Sequence, residues 1–278
     1  MGHVRAAYIF TDLEGVAGID QWDPRLADYA AQAQGVYERA ELQRLLTGEV
    51  NAAAEGLFAA GVQEVLVNDA HGAGRTILPE ELISGVRLVR GVTRSAWLLG
   101  ISRRFDALLQ VGMHAMAYTP HACLAHTQSR GYRYRVNGRE IGEMEQAAYL
   151  AGQLGIPWVF TSGDLHACRE SEAFVPGIVT AAVKEGLSEQ CAIHLAPVDA
   201  RVLIRERVQL AVQKAGEIAP LTLAGPVVME VEREEEWPLA INPHAERVDA
   251  HTLRYTGATF WQVFHAAFYG KPDMPLPD

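Results

Sequence analysis

The sequence predicts an α/β fold: a mostly parallel sheet with flanking helices over residues 1–192, and a smaller α+β domain over residues 193–278. Two observations carry this expectation. Through the first two thirds of the chain, short apolar runs of strand length alternate with stretches of helical periodicity. That alternation is the pattern of a parallel sheet, because parallel strands need a helical crossover between them. Past residue 193 the pattern changes to one long helix, an alternating strand and an aromatic-rich closing helix.

The elements follow in order. Ala6 to Thr11 reads as a buried strand. A helix runs from about Tyr37 to Ala60, with Leu42, Leu45, Leu46 and Leu57 among its apolar positions, and Gly61 stops it. Glu64 to Asn68 and Ala107 to Val111 are short strands, the second ended by Gly112. Tyr132 to Val136 alternates and then meets Asn137-Gly138, a strong two-residue hairpin signal. Glu143 to Leu154 is helical, and Pro157 to Ser162 is a further strand. In the last third, Ala196 to Ile218 reads as a helix, Pro226 to Val231 as a half-exposed strand, and Thr259 to Tyr269 as a helix. The aromatic stretch from Tyr255 to Tyr269 fits an ordinary core helix or a face toward a partner subunit.

Composition narrows the function classes. Hydrophobic residues make up 49% and charged residues 21%, so a sizeable core is available. The net charge of −10 argues against a nucleic acid or an anionic membrane as partner, since both reward a basic surface. No run approaches the length of a membrane span, and no basic start followed by an apolar leader is visible, so a cytoplasmic chain is expected. Cys123, Cys168 and Cys191 are widely spaced and odd in number, which fits ordinary buried or semi-buried thiols rather than a disulfide framework or a paired-cysteine zinc site. No glycine-rich phosphate loop with its lysine is present.

The residues able to carry chemistry lie where apolar strands run out. Asp12 and Glu14 follow the first strand, Asp69 and His71 the second, and His114 the strand ending at Gly112. In open α/β sheets the carboxyl ends of the strands line one crevice, so these side chains can converge there. In extended chain Asp12 and Glu14 point to the same face, and two carboxylates that close repel unless a cation neutralises them or one is protonated. His71 and His114 add nitrogen donors, and a His and carboxylate set without thiolates suits zinc, with manganese, nickel or cobalt as rivals. Each piece alone has a plainer explanation: a solvated turn for Asp12-Leu13-Glu14, a cap or packed side chain for each histidine. Their joint occurrence at three strand ends is what shifts the balance. Glu143 sits at a helix start, where the helix dipole already favours an acid. His126 fits a proton shuttle, with His121 its competitor.

The run Thr11-Asp12-Leu13-Glu14-Gly15-Val16-Ala17-Gly18 resembles the opening of the D-aminopeptidase family, peptidase family M55. The likeness continues through Tyr37-Glu38-Arg39, Val65 to His71, Gly112-Met113-His114-Ala115, Thr119-Pro120, Ile141-Gly142-Glu143, Ser162-Gly163-Asp164, Thr180 to Lys184 and Leu195-Ala196-Pro197. It covers roughly the first two hundred residues. The resemblance implies two zinc ions in one site, with Asp12 bridging them and Glu14, His71, His114 and Glu143 as the other ligands. It implies His126 as the active-site residue, cleavage of N-terminal D-amino acids from short peptides, and a ring-stacked homodecamer. Two departures stand out. The stretch from His114 to His126 is one residue longer than in the typical member, and Leu165-His166 follows Asp164 where the family has a second acid, a position expected near the substrate.

On this reading His126 donates a proton to the leaving amine or stabilises the tetrahedral intermediate. Asp164 is a candidate anchor for the substrate's amino group, although a loop-turn role is the plainer reading and the one that weighs more. Asp69 is a candidate to orient a ligand histidine. Two rivals remain: a two-metal hydrolase of another amide, ester or phosphate, and a non-catalytic module binding a small ligand in the same crevice.

Overall fold

The computed structural model describes residues 4–24, 32–72 and 74–278. β1 (Ala6–Thr11) leads through α1 (Gln32–Ala59) to β2 (Glu64–Asp69), and then come β3 (Val86–Val89) and β4 (Ala107–Met113). A hairpin of β5 (Tyr132–Val136) and β6 (Arg139–Ile141) precedes α2 (Glu143–Gly152). β7 (Trp158–Asp164), α3 (Leu165–Phe174), β8 (Val179–Ser188), β9 (Cys191–His194) and α4 (Pro197–Lys214) follow. The chain closes with β10 (Val227–Arg233), β11 (Glu246–Arg247), β12 (Thr252–Gly257) and α5 (Phe260–Tyr269).

Two sheets result. The larger has the order β3-β2-β1-β4-β7-β8-β9 and is parallel except for β9, which runs antiparallel to β8. β1, β4 and β7 are buried along their whole length, as strands covered on both faces must be. The smaller sheet is antiparallel with the order β11-β12-β10-β5-β6. Its β5–β6 hairpin turns at Asn137 (φ 50°) and Gly138 (φ 81°), the left-handed pair that an Asn-Gly turn supplies.

The expected boundary at residue 193 does not coincide with the division between the sheets. β5 comes from the first two thirds yet pairs with β10, with β6 on its other side, while α4 packs on α1 and β8 of the larger sheet. The aromatic helix α5 is a core element: Phe260, Trp261, Phe264 and His265 are buried, and it packs on β10, β12 and α2. Trp97 joins the two parts, stacked on Phe264 at 5.5 Å and meeting Phe10 of β1 edge-on at 4.8 Å. Among the described residues no helix is long and apolar enough to cross a membrane. All three cysteines are free; Cys123 and Cys168 are buried, whereas Cys191 is exposed on the edge strand rather than semi-buried.

Strand order decides where a site can form. From β1 the chain builds outward through β2 to β3, then returns to the other side of β1 as β4. The crevice beyond the carboxyl ends of β1 and β4 is thus a topological switch point.

Candidate metal centre

Three adjacent strands, β2, β1 and β4, end at Asp69, Thr11 and Met113, and each delivers a donor just beyond its last residue: His71, Asp12 and His114. Close backbone approach holds the last two together. Asp12 N donates to Val111 O at 2.9 Å and Gly15 N to Gly112 O at 2.8 Å. Gly112 has φ 79°, and a Cβ there would stand 2.2 Å from Asp12 O; one on Gly15 would stand 1.9 Å from Met113 O. Only glycine at both positions lets these loops touch.

The donors converge. His71 Nδ1 lies 2.9 Å from Asp12 Oδ1 and 3.0 Å from Glu14 Oε2. His114 Nε2 lies 3.0 Å from Asp12 Oδ2 and 3.4 Å from Glu143 Oε1, and His126 Nε2 lies 3.7 Å from the same Glu143 oxygen. The imidazoles of His114 and His126 stack at 4.0 Å. Two donor groups share His114: Asp12, Glu14 and His114, and His114, His126 and Glu143, each with its atoms within 4.8 Å of one another.

This set fits a divalent metal. Asp12 Oδ2, Glu14 Oε2 and His114 Nε2 are buried without a hydrogen-bond partner. Asp12 Oδ2 and His114 Nε2 approach to 3.0 Å but are out of line for a hydrogen bond. Buried polar atoms left unsatisfied cost free energy, whereas ligands ~2.0 Å from a tetrahedral zinc stand roughly 3.3 Å apart. The observed spacings are close to that value.

Protonation follows from the surrounding bonds. His114 Nδ1–H donates to Ala115 O at 2.8 Å and His126 Nδ1–H to Leu124 O at 2.9 Å, so a neutral ring at either position turns the lone pair of Nε2 toward the site. His71 is reversed. Its Nδ1 faces Asp12 and Glu14, and its Nε2 faces Asp23 Oδ2 at 3.3 Å. Burial would lower the pKa of His71, but Glu14, Asp12 and Asp23 outweigh it and hold it well above the ordinary value; Asp12 and Glu143 do the same for His114. Burial would likewise raise Asp12, but the charge of His114, with the hydrogen bond and charge of His71, holds it well below. Without metal, protons take the place of cations.

Each donor is buttressed. Asp23 is buried and ion-paired to Arg39 of α1 at 3.4 Å, so it presents a fixed carboxylate to His71. Glu143 opens α2, and its Oε1 accepts the backbone N–H of Gln128 at 2.7 Å, which the left-handed Gln128 (φ 64°) aims inward. Glu145 Oε2 accepts Gly142 N at 2.7 Å and Glu170 Oε2 accepts Met116 N at 2.9 Å, tying down the residues beside Glu143 and His114. Buried Lys184 of β8 donates its ammonium to Glu14 O and, at 2.6 Å, to Ile19 O, pinning the loop after β1.

Asp12, Glu14, His71, His114, Glu143 and His126 all meet in this one place. His121 is exposed and lines a neighbouring cavity with Tyr118, Glu189 and Glu234, so the imidazole beside Glu143 is that of His126. Three secondary expectations are corrected. Asp69 orients no histidine: its carboxylate is taken up by Thr76 N, Thr76 Oγ1 and Ile77 N in the following turn. Asp164 is fully buried and caps α3 by accepting His166 N at 2.8 Å, with its other oxygen on Cys123 N at 3.1 Å, so it is out of a substrate's reach. Leu165 and His166 are not among the residues lining the cleft. Asp23 and Lys184 were not singled out as site residues by sequence reasoning. A strand-end pattern cannot find an acid deep in a loop or a lysine inside a strand.

A cleft of about 730 Å³ opens over the donors, walled by Trp22, Trp97, Gln128, Ser129 and Arg130. Trp22 meets His126 edge-on at 5.2 Å. The curated D-aminopeptidase of Bacillus subtilis (strain 168) is 32% identical over 265 residues, covering 93% of this chain and 94% of that protein. A solved structure of the zinc-dependent D-aminopeptidase DppA from Bacillus subtilis, described as a self-compartmentalizing protease, aligns with a TM-score of 0.84 at 28% identity over 94% of each chain. The sequence profile of the M55 peptidases, described as D-aminopeptidase, matches residues 6–268. On this agreement of sequence and fold, the chain belongs to the M55 D-aminopeptidase family.

Proposed function

We propose that this chain is a zinc-dependent aminopeptidase that removes N-terminal D-amino acids from short peptides. Two zinc ions would be held per chain by Asp12, Glu14, His71, His114 and Glu143, with Asp12 shared. The single observation that carries this reading is the pair of donor groups joined at His114, with buried, unpartnered atoms of Asp12, Glu14 and His114 turned toward one another. Family membership supports the substrate class, since the similar solved protein is a zinc-dependent D-aminopeptidase. That protein is also described as self-compartmentalizing, which supports a closed homo-oligomer here; the homodecamer implied by the family resemblance is the form we propose. Three free cysteines suit a reducing, cytoplasmic setting.

Bound in this donor set, zinc supplies Lewis acidity for the scissile carbonyl and for a water. The chain's own residues do the rest. Asp12 stays ionised because the charges of His114 and His71 favour its carboxylate form. Glu143 is held in place by Gln128 N–H and fixes the side of the cleft facing His126. His126 has its Nδ1–H committed to Leu124 O, so its Nε2 is the atom that would take a proton from the attacking water and donate it to the leaving amine nitrogen. Stacking on His114 and the edge of Trp22 keep the ring in that orientation.

The test is metal analysis of the purified chain combined with hydrolysis of matched D- and L-aminoacyl dipeptides, non-peptide amides, esters and phosphoesters. About two zincs per chain and a preference for D-aminoacyl dipeptides are expected, with activity lost on chelation and restored by zinc. Full peptidase activity in metal-free protein would overturn the reading, and a preference for an ester or phosphate would assign another substrate.

A further inference from the structure

Of the described residues lining the cleft, Arg130 alone is an arginine or lysine. The floor is otherwise acidic, formed by Asp12, Glu14, Asp23 and Glu143. Arg130 is exposed, and its guanidinium carbon stands 5.1 Å from the centroid of the Trp22 ring. No carboxylate among the described residues lies within ion-pair distance of it. The acid of the adjoining cavity, Glu234, instead accepts the Tyr118 hydroxyl at 2.9 Å. A guanidinium seated beside an indole is held in orientation, stays charged at every working pH, and offers a planar fork that matches a carboxylate.

Its distance from the proton-transferring histidine sets what it can grip. Trp22 touches both, its ring 5.2 Å from the His126 ring and 5.1 Å from the guanidinium carbon, so two such spacings are the upper limit on the distance from that carbon to the imidazole. A residue held at its nitrogen by the imidazole and at its own carboxylate by the guanidinium needs roughly 9–10 Å between those groups, since its nitrogen and carboxyl carbon are about 2.5 Å apart. Each further residue would carry the carboxylate roughly 3.5 Å beyond. A short peptide always carries a C-terminal carboxylate, and in a dipeptide it belongs to the leaving residue.

We propose that Arg130 binds the free α-carboxylate of the leaving residue, making this cleft selective for dipeptides over longer or C-terminally blocked chains. The inference rests on the aminopeptidase reading and narrows its substrate class. Trp22 positions the guanidinium, and the leaving residue's nitrogen then sits at His126.

The experiment measures kcat/KM of the metal-loaded enzyme for a D-alanyl dipeptide, its C-terminal amide, and the corresponding tripeptide, in the wild type, R130Q and R130K. The wild type is expected to favour the free dipeptide over its amide by about tenfold or more, the scale of a charge-assisted contact. R130Q should bring that ratio close to one, chiefly through KM, and R130K should keep part of it because the point charge remains. An acid-to-amide ratio unchanged in R130Q would overturn the proposal, because a merely structural arginine lowers both rates in parallel. Equal use of acid and amide by the wild type would also overturn it while leaving the aminopeptidase reading intact. Hydrolysis of none of the three by the wild type would overturn the aminopeptidase reading itself, and this inference with it.

Discussion

Replacing Asp23 by Asn tests how the chain holds its second histidine. Asp23 is buried, and its Oδ2 faces His71 Nε2 at 3.3 Å while its other oxygen faces Arg39 at 3.4 Å. Asn keeps the volume and one acceptor oxygen but removes the charge. The Nε2–H of His71 then loses a carboxylate partner, and the lone pair of Nδ1 becomes less basic. The charge of Arg39, no longer opposed by Asp23, acts in the same direction, since it repels any cation bound at His71. Loss of such a partner costs roughly 10–100-fold in metal affinity, or about 1.4–2.8 kcal/mol. The assay is competition for zinc against a chromogenic chelator, with activity measured in parallel at limiting and saturating zinc. D23N should bind zinc more weakly, and saturating zinc should restore much of the lost rate. Zinc affinity within about twofold of the wild type would refute the reasoning and make Asp23 a structural partner of Arg39 alone.

Four further outcomes are expected. His126→Ala should lower kcat by about 10²–10⁴-fold while metal content stays unchanged, and loss of a metal would make His126 a ligand. Zinc affinity should strengthen as pH rises, by up to about 100-fold per unit while both His71 and His114 remain protonated, because metal binding must displace those protons; Kd values between about pH 6 and pH 8 check it. The sign is opposite for the metal-free fold. The raised histidine pKa values stabilise it fully below the unfolded value near 6.5, and that contribution is lost as pH rises through the folded values. Burial raises Glu49 to about 7, with Ala17 N–H, Lys184 and Arg201 opposing, so its contribution to stability falls as pH rises from its ordinary value of 4.5 through about 7. Glu49→Gln keeps an acceptor for Ala17 N and should flatten denaturation midpoints over that range; an unchanged pH profile would contradict this. Lys184→Met should cost about 3 kcal/mol, seen as a lower denaturation midpoint, because the carbonyls of Glu14 and Ile19 lose a charged donor.

Much of this site was legible because the sheet aligns strand ends, and a strand end is visible as an apolar run meeting polar residues. Asp12, His71 and His114 were found that way, while Glu143 and His126 needed the resemblance. The same rule misassigned Asp69, and for Asp164 the plainer local role, not the substrate anchor, is what the structure shows. A carboxylate just past a strand can serve a ligand or satisfy backbone N–H groups nearby, and at both positions the local turn and helix cap won. Lys184 was hidden for the opposite reason. A lysine in a strand suggests a solvent-facing position, yet this one is turned under the loop after β1. β3 and β9 are short, partly exposed edge strands with little periodicity to announce them. Pairing of β5 with β10 joins segments nearly a hundred residues apart, a long-range choice that local pattern does not encode.

The strand order at the crevice also bears on when the chain becomes active. The donors are spread from Asp12 to Glu143, and none of the three strand ends can present its residue until β2, β1 and β4 lie side by side. A chain still emerging from the ribosome, or trapped with part of its sheet unformed, holds only fragments of the donor set. The complete donor set therefore exists only once the sheet is complete.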